Sequence, residues 1–224
     1  MTLHYRDDAL QADTSATTRP AGKTLYRRGV KRALDVVLCL MMLPIVGLIV
    51  LMLAGLVALN GGQPFYSQLR VGRGGRLYRM WKLRSMVVDA DARLEACLAD
   101  CAHARAEWTT TQKLKNDPRI TPLGQLLRRA SLDELPQLWN VLRGDMSLVG
   151  PRPMLPEQQA LYPGQAYYNL RPGITGIWQV SKRNDSSFAD RAVFDARYDA
   201  DLSFGLDLRL MLATVRVVLR GTGY

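Results

Sequence analysis

The chain has 224 residues, 48% of them hydrophobic and 22% charged, which excludes a disordered or collagen-like polymer and suits one domain with appendages. Lysine and arginine outnumber aspartate and glutamate by 30 to 20, a formal charge of +10, so the partner is a polyanion: nucleic acid, an anionic membrane face or a phosphorylated substrate. Three cysteines, Cys39, Cys97 and Cys101, are too few and too odd a number for a disulfide framework and point to a reducing compartment.

Residues 1–24 are polar, mixed in charge and without period, and read as a disordered tail. Tyr26 to Asp35 reads as an amphipathic lead-in helix. Val36 to Leu59 then carries no charge over 24 residues, longer than the roughly 20 needed to cross a bilayer as a helix. A cleaved signal peptide has a shorter apolar region of about 7–15 residues ending in small residues, so it does not fit. Pro44 deletes a helical hydrogen bond and kinks or breaks the helix. Both flanks are positive: Arg27, Arg28, Lys31 and Arg32 before, Arg70, Arg73, Arg76, Arg79, Lys82 and Arg84 after. Positive charge favours the cytoplasmic side, so two positive flanks conflict with a single crossing. Two readings remain: a Pro-kinked spanning helix, and a hairpin that bends at Pro44 and returns to the same face.

After Pro64, two short strands around Gly72, Gly74 and Gly75 predict a hairpin. Its glycines lack P-loop spacing. Lys82 and Arg84, two residues apart on a strand, are expected to point the same way, as paired phosphate contacts. Asp89 to about Trp108 has helical spacing, and Cys97, Cys101 and His103 lack the fourth ligand that zinc requires. Asn116-Asp117-Pro118 is a turn, Leu123 to Arg129 a short basic helix. A further helix is expected to open at Ser131, where Ser131-Leu132-Asp133-Glu134 has the form of a capping box. Along it Asp133, Gln137 and Asn140 form a polar stripe opposite Leu135, Leu138, Trp139 and Leu142. Arg128, Arg129, Arg143 and Arg152 crowd around. Adjacent carboxylates ringed by guanidinium groups suit phosphate handling, one as nucleophile and its neighbour as a magnesium ligand. Five prolines from Pro151 to Pro172 mark an irregular middle. Asp207 to Arg220 is amphipathic, with Leu208, Met211, Leu212, Val215 and Leu219 on one face and Arg209, Arg216 and Arg220 on the other; a membrane surface or the protein core would equally cover the apolar side. With only His4 and His103, a Ser-His-Asp mechanism has little to work with.

Several long motifs stand in order. They begin with Lys31-Arg32, Asp35, the Pro-containing apolar segment, Gln68-x-Arg70-x-Gly72-x-x-Gly75 and Lys82-Leu83-Arg84-Ser85-Met86. Asn116-Asp117-Pro118-Arg119-Ile120-Thr121 follows, then Ser131-Leu132-Asp133-Glu134-Leu135-Pro136-Gln137-Leu138-Trp139-Asn140. The series closes on Gly144-Asp145-Met146-Ser147-Leu148-Val149-Gly150-Pro151-Arg152-Pro153 and Arg171-Pro172-Gly173-Ile174-Thr175-Gly176. Together they resemble the bacterial sugar transferase family, the small monotopic polyprenyl-phosphate phosphoglycosyl transferases, over about residues 26–224. The short chain resembles the members that start exopolysaccharide repeat units.

The resemblance implies a mainly helical α+β fold: a re-entrant membrane helix-break-helix, a compact cytosolic domain with a small β-hairpin or sheet, and amphipathic interfacial helices. It divides the chain into a tail (1–24), a lead-in and membrane segment broken at Pro44 (25–62), and a catalytic domain (63–224). It implies ping-pong transfer of a hexose-1-phosphate from a UDP-sugar to undecaprenyl phosphate, releasing UMP. Asp133 would be the nucleophile, and Glu134 with Asp133 would hold Mg²⁺. Lys82, Arg84, Arg128, Arg152, Asp145 and Asp195 fall on family positions for substrate binding. The implied location is the cytoplasmic face of a bacterial inner membrane; homo-oligomer formation is left open. One departure is visible, at Gln179-Val180-Ser181-Lys182-Arg183, where Lys182 stands for the family's glycine and leaves the sugar undetermined. Trp178 beside it could stack on a ring or sit in the core. The competing reading is a membrane-anchored basic protein that binds anionic lipid or nucleic acid, but no helix-turn-helix, zinc-finger or RNA-binding aromatic pattern is present, so nucleic acid is not expected as a partner.

Overall fold

The computed structural model describes residues 25–111, 114, 116–181 and 188–219. The tail, Lys182 and Arg183, and Arg220 lie outside the described residues. The described part is mainly helical with two small sheets.

A π-helical turn, Tyr26–Val30, leads without interruption into helix α1, Lys31–Leu59. The expected break is therefore not a gap between two helices: Pro44 lies inside one helical run. Having no N–H for the Leu40 carbonyl, it places the point of bending there. This is the one helix among the described residues long and apolar enough to cross a membrane.

One side of α1 packs on the rest of the protein along its length, through Cys39, Val46 and Ile49 as well as its ends, while the other side does not. At the start, Asp35 accepts hydrogen bonds from Ser147 Oγ (2.7 Å) and the Leu148 amide (3.2 Å). Near the end, Leu53, Ala54 and Val57 are buried against Leu83 and Leu127. Between them Leu40, Met41, Leu43, Ile45, Leu48, Leu51 and Met52 are exposed. So large an apolar surface is what a lipid environment covers.

Strands β1 (Phe65–Val71) and β2 (Leu77–Leu83) form the expected antiparallel hairpin, in register from Phe65 opposite Leu83 to Val71 opposite Leu77. Its turn uses Gly74 and Gly75 at φ of 67° and 77°, a region that side chains disfavour. Beyond it, the single helix expected from Asp89 is two, α2 (Ala90–Asp100) and α3 (Ala102–Thr111), divided at Cys101, whose extended backbone cannot continue a helix. Helix α4 (Pro122–Arg129) follows, its first turn capped by Thr121 Oγ1, which accepts from the Gly124 amide at 2.9 Å.

The helix expected to open at Ser131 does not. Ser131 is left-handed, with φ 55°, and its side chain caps nothing. A single 3-10 turn, Leu132–Glu134, carries the two carboxylates, and α5 (Gln137–Arg143) starts only after Pro136. The polar stripe of α5 is buried, as is Leu138 opposite it, and Trp139 is the residue left outside. Asn140 is 0% exposed while Trp139 is 57% exposed. The free edge of β2 explains the burial of Asn140: its Oδ1 accepts from the Trp81 amide (3.0 Å) and its Nδ2 donates to the Arg79 carbonyl (2.7 Å). An otherwise unpaired strand edge is thereby satisfied by one side chain.

Strands β3 (Ser147–Val149) and β4 (Gly173–Thr175) pair in parallel. The glycines of the Gly150-Pro151-Arg152 and Arg171-Pro172-Gly173 motifs meet there so closely that a Cβ on either would overlap backbone atoms of the other segment. Short helices α6 (Ala166–Asn169) and α7 (Ile177–Val180) precede α8 (Arg191–Asp201) and α9 (Phe204–Leu219). In α9 the side that meets the core is Asp207 and Leu210, which leaves Phe204, Leu208, Leu212, Val215 and Val218 exposed. Asp207, 2% exposed, ties three elements together. It accepts from Tyr26 Oη (2.7 Å), Lys31 Nζ (2.6 Å) and Tyr198 Oη (2.6 Å), so α9, α8 and the base of α1 form one unit.

Candidate active site

The 3-10 turn after Ser131 presents Asp133 and Glu134 to the end of β2. Lys82 Nζ lies 2.7 Å from Glu134 Oε1 and 3.6 Å from Asp133 Oδ2. Arg128, from the last turn of α4, donates through Nε to Ser85 Oγ at 2.8 Å, and its charge acts on Asp133. Glycine at 124 makes this possible, because a Cβ there would overlap the Ser85 carbonyl. Asp133 is 7% exposed. Burial pushes its pKa up; Lys82 and Arg128 pull it down, and the Glu134 charge raises it further, leaving it above the ordinary carboxylate range. Burial lowers the pKa of Arg128. Behind it, Asp117 accepts from Arg119 Nε (2.8 Å) and Nη2 (2.6 Å), and the Arg119 guanidinium lies over the Trp108 ring at 5.0 Å. Burial alone would raise the Asp117 pKa, but the bonds from Arg119 outweigh it and hold Asp117 low.

Of the other residues expected at the site, Arg84 and Lys82 do not act as a pair. Arg84 Nη2 donates to the carbonyls of Gly61 and Val57, at the end of α1. The chain folds over the guanidinium at Gly61 and Gly62, with φ of 82° and 73°, and a Cβ at Gly62 would overlap Arg84. Asp145 lies at the far end of α5, 3.2 Å from Asn140 Nδ2 and 3.6 Å from Arg143 Nε, away from the carboxylate pair.

Arg152 and Asp195 belong to a second group, whose other members sequence reasoning missed. Arg152 and Arg191 lie over the Trp178 ring, at 5.5 and 4.3 Å, and Arg191 also lies over Phe188 at 4.6 Å. Burial and the charges of Arg152 and Arg70 lower the pKa of Arg191 to about 10. Burial lifts Asp195 to about 7, against the Tyr162 hydrogen bond (2.9 Å) and the Arg191 charge, which pull it down. Among the described residues, Nε of Arg70 and Nε of Arg191 are buried without an acceptor. Three crowded guanidinium groups against one weakly acidic carboxylate make a site for an anion. In the hairpin, Arg70 pairs with Tyr78, four residues before Lys82 on the same strand face, so the two groups lie about 13 Å apart along the sheet.

The family model for bacterial sugar transferases matches residues 26–221. The chain belongs to the bacterial sugar transferase family. Among its relatives, the UDP-galactose-lipid carrier transferase of Erwinia amylovora is 46% identical over 88% of this chain and 42% of its own length. The undecaprenyl-phosphate galactose phosphotransferase of Salmonella typhimurium is 45% identical, also over 88% and 42%. The chain thus spans about two fifths of these longer relatives. The exopolysaccharide production protein ExoY of Sinorhizobium fredii is 41% identical over 86% of this chain and 87% of its own length.

Asp133 and Glu134 are the two carboxylates that would hold Mg²⁺; among the described residues no third His, Cys, Asp or Glu joins them. Mg²⁺ takes one or two carboxylates and fills its shell with water and substrate phosphate oxygens.

Proposed function

We propose that this sugar transferase moves a hexose-1-phosphate from a UDP-sugar to undecaprenyl phosphate and releases UMP, in two displacements through Asp133. The observation that carries this reading is the buried Asp133 held between Lys82, Arg128 and Glu134 in a chain of this family. Relatives named for galactose and for glucose transfer to undecaprenyl phosphate support the substrate class.

In the first displacement an Asp133 carboxylate oxygen attacks the sugar-proximal phosphorus. The bond to the UMP oxygen breaks, UMP leaves with the electron pair, and the phosphosugar is held as an acyl phosphate. In the second, a phosphate oxygen of the lipid attacks the same phosphorus and the carboxylate is restored. A carboxylate is a weak nucleophile toward an anion, so Lys82 and Arg128 are placed to neutralise the diphosphate as it approaches. Asp133 and Glu134 would hold Mg²⁺, whose charge when bound further offsets that of the phosphates. Arg152, with Arg70 and Arg191, holds the rest of the donor, and Asp195 steadies Arg191.

The same reading places the enzyme on the cytoplasmic leaflet of the inner membrane, with α1 entering, bending at Pro44 and returning. The packing of α1 along one side onto a single body, with its other side apolar and exposed, supports a helix that stays with that body at the membrane rather than leaving it. The apolar stripe of α9 supports an interfacial position for that helix.

Detergent-solubilised protein given Mg²⁺, undecaprenyl phosphate and a panel of UDP-hexoses tests the proposal through UMP release. Transfer from UDP-glucose or UDP-galactose is expected, with a phosphosugar adduct on the peptide containing Asp133 when lipid is omitted. Undiminished UMP release by Asp133→Asn would overturn the assignment.

A further inference from the structure

The separation of Arg84 from Lys82 leaves Arg84 with a cavity of its own. A space of about 240 Å³ opens beside the last turn of α1, lined by Val57, Arg84, Met86, Val88, Arg93 and Leu123. Its walls combine an apolar side, continuous with the membrane helix through Val57, and a cationic side. Arg93 is balanced by Asp89 at 3.1 Å, so Arg84 supplies the excess positive charge. Arg84 uses Nη2 on the carbonyls of Val57 and Gly61, and a guanidinium has further N–H groups in its fork. The cavity is joined to the carboxylate site through the chain. Arg84 and Met86 flank Ser85, whose hydroxyl holds the Arg128 that acts on Asp133. At this volume it falls below the roughly 300 Å³ at which pockets for drug-sized ligands begin, too small for a whole nucleotide sugar.

The geometry points to this cavity as the seat of the acceptor: the phosphate and first isoprene units of undecaprenyl phosphate, with the remaining chain running out along α1 into lipid. The inference rests on the transferase reading above and adds to it a second subsite, distinct from the donor's arginines. An occupant must be anionic at one end and hydrocarbon at the other, and must enter at the depth where α1 leaves the membrane. A polyprenyl phosphate meets all three conditions. Arg84 and Met86 on the cavity wall are sequence neighbours of Ser85, so the segment that lines the cavity also carries the residue that holds Arg128.

Two reactions separate the subsites. Exchange of labelled UMP into UDP-sugar, without lipid, reports the donor half alone; turnover with undecaprenyl phosphate reports both. Leu123→Trp, which fills the cavity, and Arg84→Met, which removes its cation, should each raise the KM for undecaprenyl phosphate at least tenfold, several times more than they change exchange. Val88→Trp, at a rim position 74% exposed and tolerant of substitution, should raise it about threefold in a protein of unaltered melting temperature. A parallel fall of exchange and turnover in Val88→Trp, or an unchanged lipid KM in all three, would overturn the acceptor site. Absence of exchange in the wild-type protein would instead overturn the transferase reading. Independently of activity, a short polyprenyl phosphate bearing a diazirine on its first isoprene should label the segment 84–93 of the wild-type protein; labelling confined to other segments would also overturn the site.

Discussion

The two charged groups on the hairpin face solve opposite problems. At the carboxylate end, two negative side chains are held at the end of β2 by Lys82 and Arg128, and the site is balanced before any ligand arrives. At the arginine end, about 13 Å along the strand, Arg70, Arg152 and Arg191 crowd together with Asp195 opposite them. A balanced site keeps a nucleophile ionised yet poised; an unbalanced one is completed by a ligand's charge. On the proposed reading, chemistry belongs to the first and holding to the second.

The largest expected effect tests that division directly. Asp133→Asn should cut UMP release by about 10³-fold or more, as loss of a nucleophile does, with the melting temperature retained. Glu134→Gln should cost about 10- to 100-fold and should also move the acid limb of the pH–rate profile. Asp133 must be ionised to attack, and burial together with the Glu134 charge holds its pKa up, so activity falls on acidification above the ordinary carboxylate range. Removing the Glu134 charge favours the ionised form and shifts that limb to lower pH. At the other end, Arg191→Met should raise the KM for UDP-sugar about tenfold, or 1.4 kcal/mol, with kcat changed far less. If kcat fell instead, the arginine group would share in the chemistry.

The smallest effect is on stability. Asp195 titrates near 7 in the folded protein against an ordinary value of 3.8. Between these values the unfolded chain loses its proton and the folded one keeps it, so stability present at low pH is lost as pH rises toward 7 and is level above it. Asp195→Asn should flatten the melting temperature between pH 5 and 8. A wild-type profile already flat there would mean that Arg191 and Tyr162 hold Asp195 ionised.

Much of this was legible from local pattern. The uncharged run of α1, the glycine turn of the hairpin and the Asp133-Glu134 pair among arginines each declare themselves within a few residues. The errors are just as specific. Ser131-Leu132-Asp133-Glu134 matches a capping box, yet Pro136 halts the helix and Ser131 turns left-handed to swing the carboxylates toward Lys82. Asn140 lies on a polar stripe that says nothing of its partner, and the free edge of β2 draws it inward while Trp139, on the apolar side, is left outside. Arg84 matches Lys82 in spacing and charge, and only the two glycines folding over it assign it to α1.

The amino-acid sequence alone decides properties that depend on near neighbours: helical period, an apolar length sufficient for a bilayer, turns that need glycine, and a surplus of positive charge. It does not decide which charges share a site. Lys82 meets Glu134 across 52 residues and Arg128 meets Ser85 across 43. Arg70 comes close enough to Arg191 for its charge to lower the Arg191 pKa although no motif joins them. Like charges repel in an open chain, so such groups assemble only when the packing of whole elements holds them together. The surplus of charge is written in the composition, and its division between the carboxylate pair, the arginine group and the end of α1 is made by the fold.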